Sequence, residues 1–162
     1  MAASSAVSFL FDSPIGSLGV TIQNGALCSL DLSGGDAAER NDVAGDDGLP
    51  SMVVNQLESY FAHGEAGFTL PLVMAGTPFQ KRVWEALKTI PPGETRTYGE
   101  IAAELGSSAR AVGNACRKNP IPVVVPCHRV VSASDIGGFS GQTGGPLLDV
   151  KRWLLEHEGV AL

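Results

Sequence analysis

Cys127 and His128 stand side by side in the stretch Asn119-Pro120-Ile121-Pro122-Val123-Val124-Val125-Pro126-Cys127-His128-Arg129-Val130-Val131, where valines and prolines surround a nucleophile and a base. Thiolate is the reactive form of cysteine, and a free thiol with a pKa near ~8.5 needs a basic partner to be useful at neutral pH. His128 is the adjacent candidate, acting directly or through one water, and a carboxylate could hold its second ring nitrogen. Neighbouring side chains in a regular strand point to opposite faces, so the pair can cooperate only where the backbone is irregular. Pro126, which cannot donate a ladder hydrogen bond, predicts such an irregularity. The same spacing also suits a structural cysteine beside an incidental histidine, because free cysteine is among the most buried residue types. Both readings stay open at this level.

The chain that must position this pair has 162 residues, enough for one large domain or two small ones. A hydrophobic share of 44% against 17% charged residues describes a globular protein. No apolar run approaches the ~20 residues that span a bilayer. The opening Met-Ala-Ala-Ser-Ser lacks the basic and apolar regions of a secretory signal, so an intracellular location is expected: cytoplasm or nucleoid, or the nucleus in a eukaryote. Cys28, Cys116 and Cys127 are an odd number at spacings of neither a disulfide framework nor a zinc pair, which favours free thiols.

The formal charge of -6 is unevenly distributed. Residues 1–76 carry one cation, Arg40, against nine anions, whereas residues 77–131 carry eight cations (Lys81, Arg82, Lys88, Arg96, Arg110, Arg117, Lys118, Arg129) against four anions. The middle third is therefore the part that could face phosphates, with a modest and salt-sensitive affinity given the acidic remainder.

Apolar runs at 7–11, 18–23 and 26–32, separated by Asp12-Ser13-Pro14-Ile15-Gly16 and Asn24-Gly25, predict a small antiparallel sheet. Residues 33–50, rich in Gly, Asp and Ala, read as a loop. Val54, Leu57, Tyr60 and Phe61 predict a helix over 51–63, capped by Ser51 and stopped by Gly64, and 68–73 reads as a last strand. A second unit begins at Thr77, which caps a helix accepting Pro78 in its first turn and exposing Phe79, Val83, Trp84 and Leu87 to a core. Thr97 caps a helix over 98–105 that Gly106 stops, and a third helix runs from Ser108 or Ala109 to Lys118. Two short helices joined by a Gly-containing turn, the second one basic, describe a helix-turn-helix. A final short helix is expected over 151–157.

The Pro-Cys-His-Arg-Val core of the 119–131 stretch closely resembles the active-site signature of the O6-alkylguanine-DNA alkyltransferases, the methylated-DNA-protein-cysteine methyltransferases. The likeness extends through Gly76-Thr77-Pro78-Phe79-Gln80, Val83-Trp84, Ile90-Pro91-Pro92-Gly93-Glu94-Thr95, Tyr98-Gly99, Arg110-Ala111-Val112-Gly113 and Trp153-Leu154-Leu155-Glu156-His157-Glu158-Gly159. It covers essentially all of 76–159, and more loosely the first half through Asp12-Ser13-Pro14-Ile15-Gly16 and Tyr60-Phe61.

The resemblance implies an α/β domain over 1–75 of ribonuclease-H-like character, a small antiparallel sheet plus helix, packed on a mostly helical domain over 76–162. It implies DNA repair by a single, irreversible alkyl transfer from O6-alkylguanine, with O4-alkylthymine as a further candidate, to Cys127. His128 becomes the base, Glu158 the carboxylate orienting it, Tyr98 the proton donor to the departing guanine, and Asn119 the residue stitching the turn between recognition helix and active-site strand. The damaged base must leave the stack to be reached. Arg110 corresponds to the finger that fills the gap, and Ala109, Ala111 and Gly113, with Ala115, make a small-sided helix suited to a minor groove. Arg117 and Lys118 would serve phosphates. Val130, Ile136, Gly137, Gly138, Phe139 and Ser140 would line the base pocket. The implied partner is double-stranded DNA bearing O6-alkylguanine, bound by a monomer, with cooperative assembly on DNA left open.

No cofactor or metal is implied, and Cys28 and His63 read as a strand thiol and a helix-end histidine. Phe139 replaces a common Tyr, Asn114 replaces a common Gly, and 140–148 is longer than the usual link to the last helix. Two other classes compete: a non-catalytic alkyl-lesion-binding protein, which the presence of Cys127 disfavours, and a helix-turn-helix regulator in which the Cys-His pair is incidental.

Overall fold

Alternating side chains and two tight turns build the first unit. The computed structural model describes residues 6–34, 48–133 and 146–162, and the chain divides into two compact units, Met1–Ala75 and Gly76–Leu162. In the first, strands β1 (Ala6–Ser13), β2 (Gly16–Gln23) and β3 (Ala26–Asp31) form an antiparallel sheet in the order β1-β2-β3. Phe9 lies opposite Val20, and Val20 opposite Leu30, so one face collects Phe9, Phe11, Leu18, Val20, Ile22 and Leu30, all buried. Asn24 and Gly25 both take left-handed backbone (φ 53° and 78°), which a two-residue hairpin turn between right-twisted strands requires.

Helix α1 (Leu49–Ala62) buries Val53, Leu57 and Tyr60. It starts two residues before the expected Ser51, with Gly48 as its N-cap, because Pro50 fits the first turn, where its missing N–H costs nothing. It ends with His63 as C-cap, one residue before Gly64. The strand expected over 68–73 is not formed. Instead Leu72 makes a single parallel bridge to Leu27, with Leu27 N–H donating to Pro71 O at 2.9 Å and Val73 N–H to Leu27 O at 3.0 Å. Pro71 has no N–H with which to extend the ladder. The loop expected over 33–50 lies largely outside the described residues, and its last residues enter α1.

In the second unit local signals and structure agree closely. Helix α2 (Pro78–Lys88) opens on a capping box, Gln80 N–H to Thr77 Oγ1 at 3.1 Å and Thr77 N–H to Gln80 Oε1 at 2.9 Å. Helix α3 (Tyr98–Leu105) repeats the device with Thr97 and Glu100 and ends on left-handed Gly106. Three residues, Gly106 to Ser108, lead into α4 (Ala109–Arg117), capped by the Ser108 side chain. Two short segments, β4 (Arg96–Thr97) and β5 (Val130–Val131), pair in parallel; each has two residues, too few for a sequence pattern to reveal. Helix α5 (Pro146–His157) begins five residues before the expected Lys151, again with a proline that a first turn tolerates. Among the described residues no helix is long and apolar enough to cross a membrane.

Trp84 anchors this unit. Its ring is 2% exposed, and its Nε1 donates to Ala115 O on α4 at 2.9 Å, so the indole cannot turn away from its neighbours. A Cβ on Gly76 would sit 2.5 Å from that ring. Gly76→Ala is therefore expected to lower unfolding stability by about 1–3 kcal/mol through overpacking. Gly67→Ala, where a Cβ meets nothing within 4 Å, is expected to stay within about 0.5 kcal/mol of wild type. Urea unfolding of both variants checks the contrast.

Candidate active site

The segment entering the site is a chain of turns that Asn119 holds together. Asn119 Oδ1 accepts from Ile121 N–H at 2.9 Å, its Nδ2 donates to Val125 O at 2.8 Å, and Val125 N–H closes on Ile121 O at 2.9 Å. Within this bracket Val123 takes φ 74°, a strained choice for a β-branched residue that persists because its surroundings over-determine it. Pro126 (φ -84°, ψ 69°), with Cys127 N–H bonded to Val125 O at 2.9 Å, forms an inverse γ-turn. Cys127–Arg129 then make one 3-10 turn before β5. The active-site strand is thus confined to Val130–Val131. The irregular backbone expected at Pro126 is present, and Cys127 and His128 are both buried, at 5% and 0% exposure.

Glu158, just beyond α5, organises the charges. His128 Nε2 lies 2.7 Å from Glu158 Oε2. Arg129 grips the same carboxylate with both arms, Nε to Oε1 and Nη2 to Oε2 at 2.9 Å each, while its Nη1 donates to Ile90 O at 2.6 Å. Burial alone would raise the Glu158 pKa, but the hydrogen bonds and charges of His128 and Arg129 outweigh it and hold the group at about 2. Burial pushes His128 below its ordinary value, only partly offset by Glu158, so the imidazole is neutral at pH 7. An ionised Glu158 accepts only, so the proton of neutral His128 sits on Nε2, and Nδ1 keeps its lone pair. That Nδ1 is buried and has no hydrogen-bond partner among the described residues. Burial likewise raises the Cys127 thiol, opposed by a hydrogen bond from Asn119 and the positive charge of Lys151. The resting pair is therefore a neutral thiol and, at the next residue, a neutral imidazole whose acceptor nitrogen is uncommitted among the described residues.

Tyr98, half-buried, starts α3. Lys151 Nζ lies 5.8 Å from the centre of its ring and donates to Val130 O at 2.7 Å. Val130 is fully buried; Ile136, Gly137, Gly138, Phe139 and Ser140 lie outside the described residues. Along α4, Ala109, Arg110 and Arg117 are exposed, as is Lys118 at its C-cap, and Ala111 and Gly113 are half-exposed. A Cβ on Gly113 would meet nothing within 4 Å. Ala115 instead faces inward, 2% exposed, so its small size serves helix packing and not the outer face.

Two residues escaped the sequence reading. Arg129, counted there among cations available to phosphates, is 7% exposed and committed to Glu158. Its position beside the Cys-His pair was the one hint. Lys151 has no exposed surface at all, and nothing in its spacing distinguishes it from an ordinary helix lysine. Arg96 is also engaged, by Glu104 at 2.7 Å, and Lys88 by Glu85 at 3.0 Å. Among the described residues no group of three or more His, Cys, Asp or Glu side chains could hold a metal ion.

Residues 78–160 match the model of the 6-O-methylguanine DNA methyltransferase DNA binding domain, and residues 7–74 that of the ribonuclease-like domain of the same proteins. The chain belongs to this family. It is 47% identical over 150 residues to the methylated-DNA–protein-cysteine methyltransferase of Mycobacterium tuberculosis, covering 91% of this chain and 88% of that one. The corresponding protein of Methanosarcina acetivorans is 53% identical over 106 residues, which span 64% of this chain and 65% of the relative. The M. tuberculosis structure solved in complex with DNA superposes with a TM-score of 0.73 at 43% identity, covering 93% of this chain and 91% of that one.

Because Glu158 is depressed from an ordinary value near 4.5 to about 2, its ionised form stabilises the fold above the unfolded value. That stability is lost as pH falls through the interval between them. Wild-type stability is expected to drop by on the order of 2–3 kcal/mol between pH 5 and pH 2 on this account. Glu158→Gln should be less stable at pH 7 and flatter across that window, as read from urea midpoints at several pH values.

Proposed function

We propose that Cys127 attacks the alkyl carbon on O6 of a modified guanine extruded from duplex DNA, and keeps the alkyl group as a thioether. The reading is carried by the polarised pair: an ionised, buried Glu158 commits Nε2–H of His128 and leaves Nδ1 as acceptor on the residue that follows Cys127, whose thiol burial keeps protonated. The thiol proton passes to His128 Nδ1, directly or through one water, and the sulfur displaces guanine O6 in line. The C–O pair departs with guanine, which takes a proton from Tyr98, and His128 returns its proton to the tyrosinate. Summed over these steps, the thiol and O6-methylguanine become the S-methyl thioether and neutral guanine. A thioether does not hydrolyse, so each molecule acts once.

Asn119 serves as the clasp that delivers Cys127, since its amide brackets the turns before it. We read α3, the 106–108 turn and α4 as a helix-turn-helix whose α4 lies along the minor groove, and the first unit as ribonuclease-H-like. A glycine inside a helix costs roughly 1 kcal/mol relative to alanine, and Gly113 has open space where a Cβ would stand. Its absence of a side chain therefore favours close approach by something outside the protein, such as the sugar-phosphate walls of a groove. In this reading Arg110, exposed in the first turn of α4, fills the gap left by the extruded base. Ala109 and Ala111 keep its flanks low, and Arg117 and Lys118 face phosphates. Val130 is read as part of the base pocket, and O4-alkylthymine as a candidate second substrate. The protein acts as a monomer without a cofactor.

Incubation with a duplex bearing one O6-methylguanine is expected to raise the intact mass by one CH2, mapped to Cys127 and abolished in Cys127→Ala. Binding with no change in mass would favour a lesion-binding or regulatory protein. Arg117→Ala and Lys118→Ala should each weaken duplex binding and reduce the dependence of log affinity on log salt by about one. Titrations at several salt concentrations measure that slope.

A further inference from the structure

Residues 90–98 touch both members of the buried ion pair and end at Tyr98, the proposed proton donor. Ile90 O accepts from Arg129 Nη1 at 2.6 Å. Glu94 N–H then closes on Pro91 O at 3.2 Å, making a four-residue turn with Pro92 second and Gly93 third. Gly93 has φ 88°, the pattern of a type II turn. A Cβ on Gly93 would lie 3.2 Å from the backbone oxygen of Glu158, closer than Cβ atoms ordinarily stand to a neighbour. Beyond the turn, Arg96 and Thr97 pair with Val130 and Val131, and Thr97 caps the helix that Tyr98 begins. A left-handed glycine would serve such a turn in any surroundings. What sets this one apart is what it touches: Gly93 is an exposed residue, so the limit on its size comes from the Glu158 backbone and not from core packing.

We propose that Gly93 is a positioning residue of the transfer reaction: its bare Cα lets the Pro91–Glu94 turn close against the Glu158 backbone, so that the segment holding Arg129 at Ile90 O also fixes the carboxylate that orients His128. The inference rests on Cys127 being the alkyl acceptor and His128 its base. A side chain at 93 forces the turn and the end of α5 apart by a few tenths of an ångström. Arg129 spans that junction, with Nη1 on Ile90 O and with Nε and Nη2 on the Glu158 carboxylate. The displacement is therefore taken up in the Arg129 grip or in the 2.7 Å approach of Glu158 Oε2 to His128 Nε2. Misplacement by about 1 Å costs an aligned reaction about a hundredfold, so a few tenths correspond to roughly three- to tenfold.

The test measures single-turnover transfer from an O6-methylguanine duplex at pH 7. In parallel it records the Arg129 Nε–H and His128 Nε2–H proton resonances of the full chain by NMR, which short bonds to an ionised carboxylate draw downfield. Gly93→Ala adds a Cβ and strains the positive φ, whereas Gly93→Asn adds the Cβ in a residue that tolerates left-handed backbone. Gly25→Ala, at φ 78° with nothing within 4 Å of its Cβ, is the control for backbone strain alone. Both Gly93 variants are expected to slow transfer by about three- to tenfold, with duplex affinity within about twofold of wild type. Both should also move the two proton resonances upfield. Gly25→Ala should lower stability and leave the transfer rate and both resonances as in wild type. Unchanged resonances in whichever Gly93 variant folds overturn the proposal, even if transfer slows, because Gly93 then serves the turn alone. Unslowed transfer beside a reactive wild type overturns it too, as does an equal change in Gly25→Ala, which would trace the effect to general loss of stability. Shifted resonances in a protein whose wild type leaves the lesion intact uphold the seating of Glu158 by Gly93 and remove the alkyl-acceptor reading instead.

Discussion

A carboxylate kept ionised inside the protein is the constraint on which the site turns. Glu158 is buried, and a buried carboxylate without partners would take up a proton. Arg129 occupies both of its oxygens and His128 shares one of them, so the negative charge is stabilised where water is excluded. That arrangement orients the imidazole and assigns its tautomer. It also links the end of α5, the 3-10 turn and the Ile90 carbonyl through the third arm of Arg129. Loss of Arg129 or of Glu158 would leave the other's charge unpaired in the interior, a far larger penalty than the pair's net contribution to stability.

The backbone that presents Cys127 complements this electrostatic lock. Prolines at 120, 122 and 126 withhold donors, the Asn119 amide supplies substitutes, and the strain at Val123 is held inside that bracket. The result is a nucleophile on a rigid turn, not on a sheet ladder. Such rigidity suits an in-line displacement, where small errors of approach are costly. The cap boxes that start α2 and α3, and the Trp84 bond to Ala115, hold the surrounding helices with the same economy of local hydrogen bonds.

Charge is sorted by burial as well as by position in the chain. The cations of residues 77–131 are not one population: Arg129 serves the interior, Arg96 and Lys88 pair with nearby glutamates, and Arg110, Arg117 and Lys118 remain exposed on or just beyond α4. The exposed basic character thus divides between Lys81 and Arg82 on α2 and the cations of α4, whose outward Gly113 leaves that helix low and open.

Much of this was legible in the amino-acid sequence because its causes are local. The Asn24-Gly25 turn, the Thr77 and Thr97 caps, the Gly106 stop and the Pro126 irregularity each depend on residues within one turn of chain, and they appear where the spacing put them. The Cys-His-Glu grouping was legible only through family resemblance, since Glu158 is thirty residues from His128 and no periodicity joins them. Where proline chemistry competed with simple pattern, boundaries moved: α1 and α5 start earlier, and the 68–73 segment stays unpaired except at Leu72. The burial of Arg129 and Lys151, the β4 and β5 pairing and the acceptor state of His128 Nδ1 were decided by tertiary structure alone. Each depends on which distant groups exclude water from a given atom, and no single stretch of sequence encodes that.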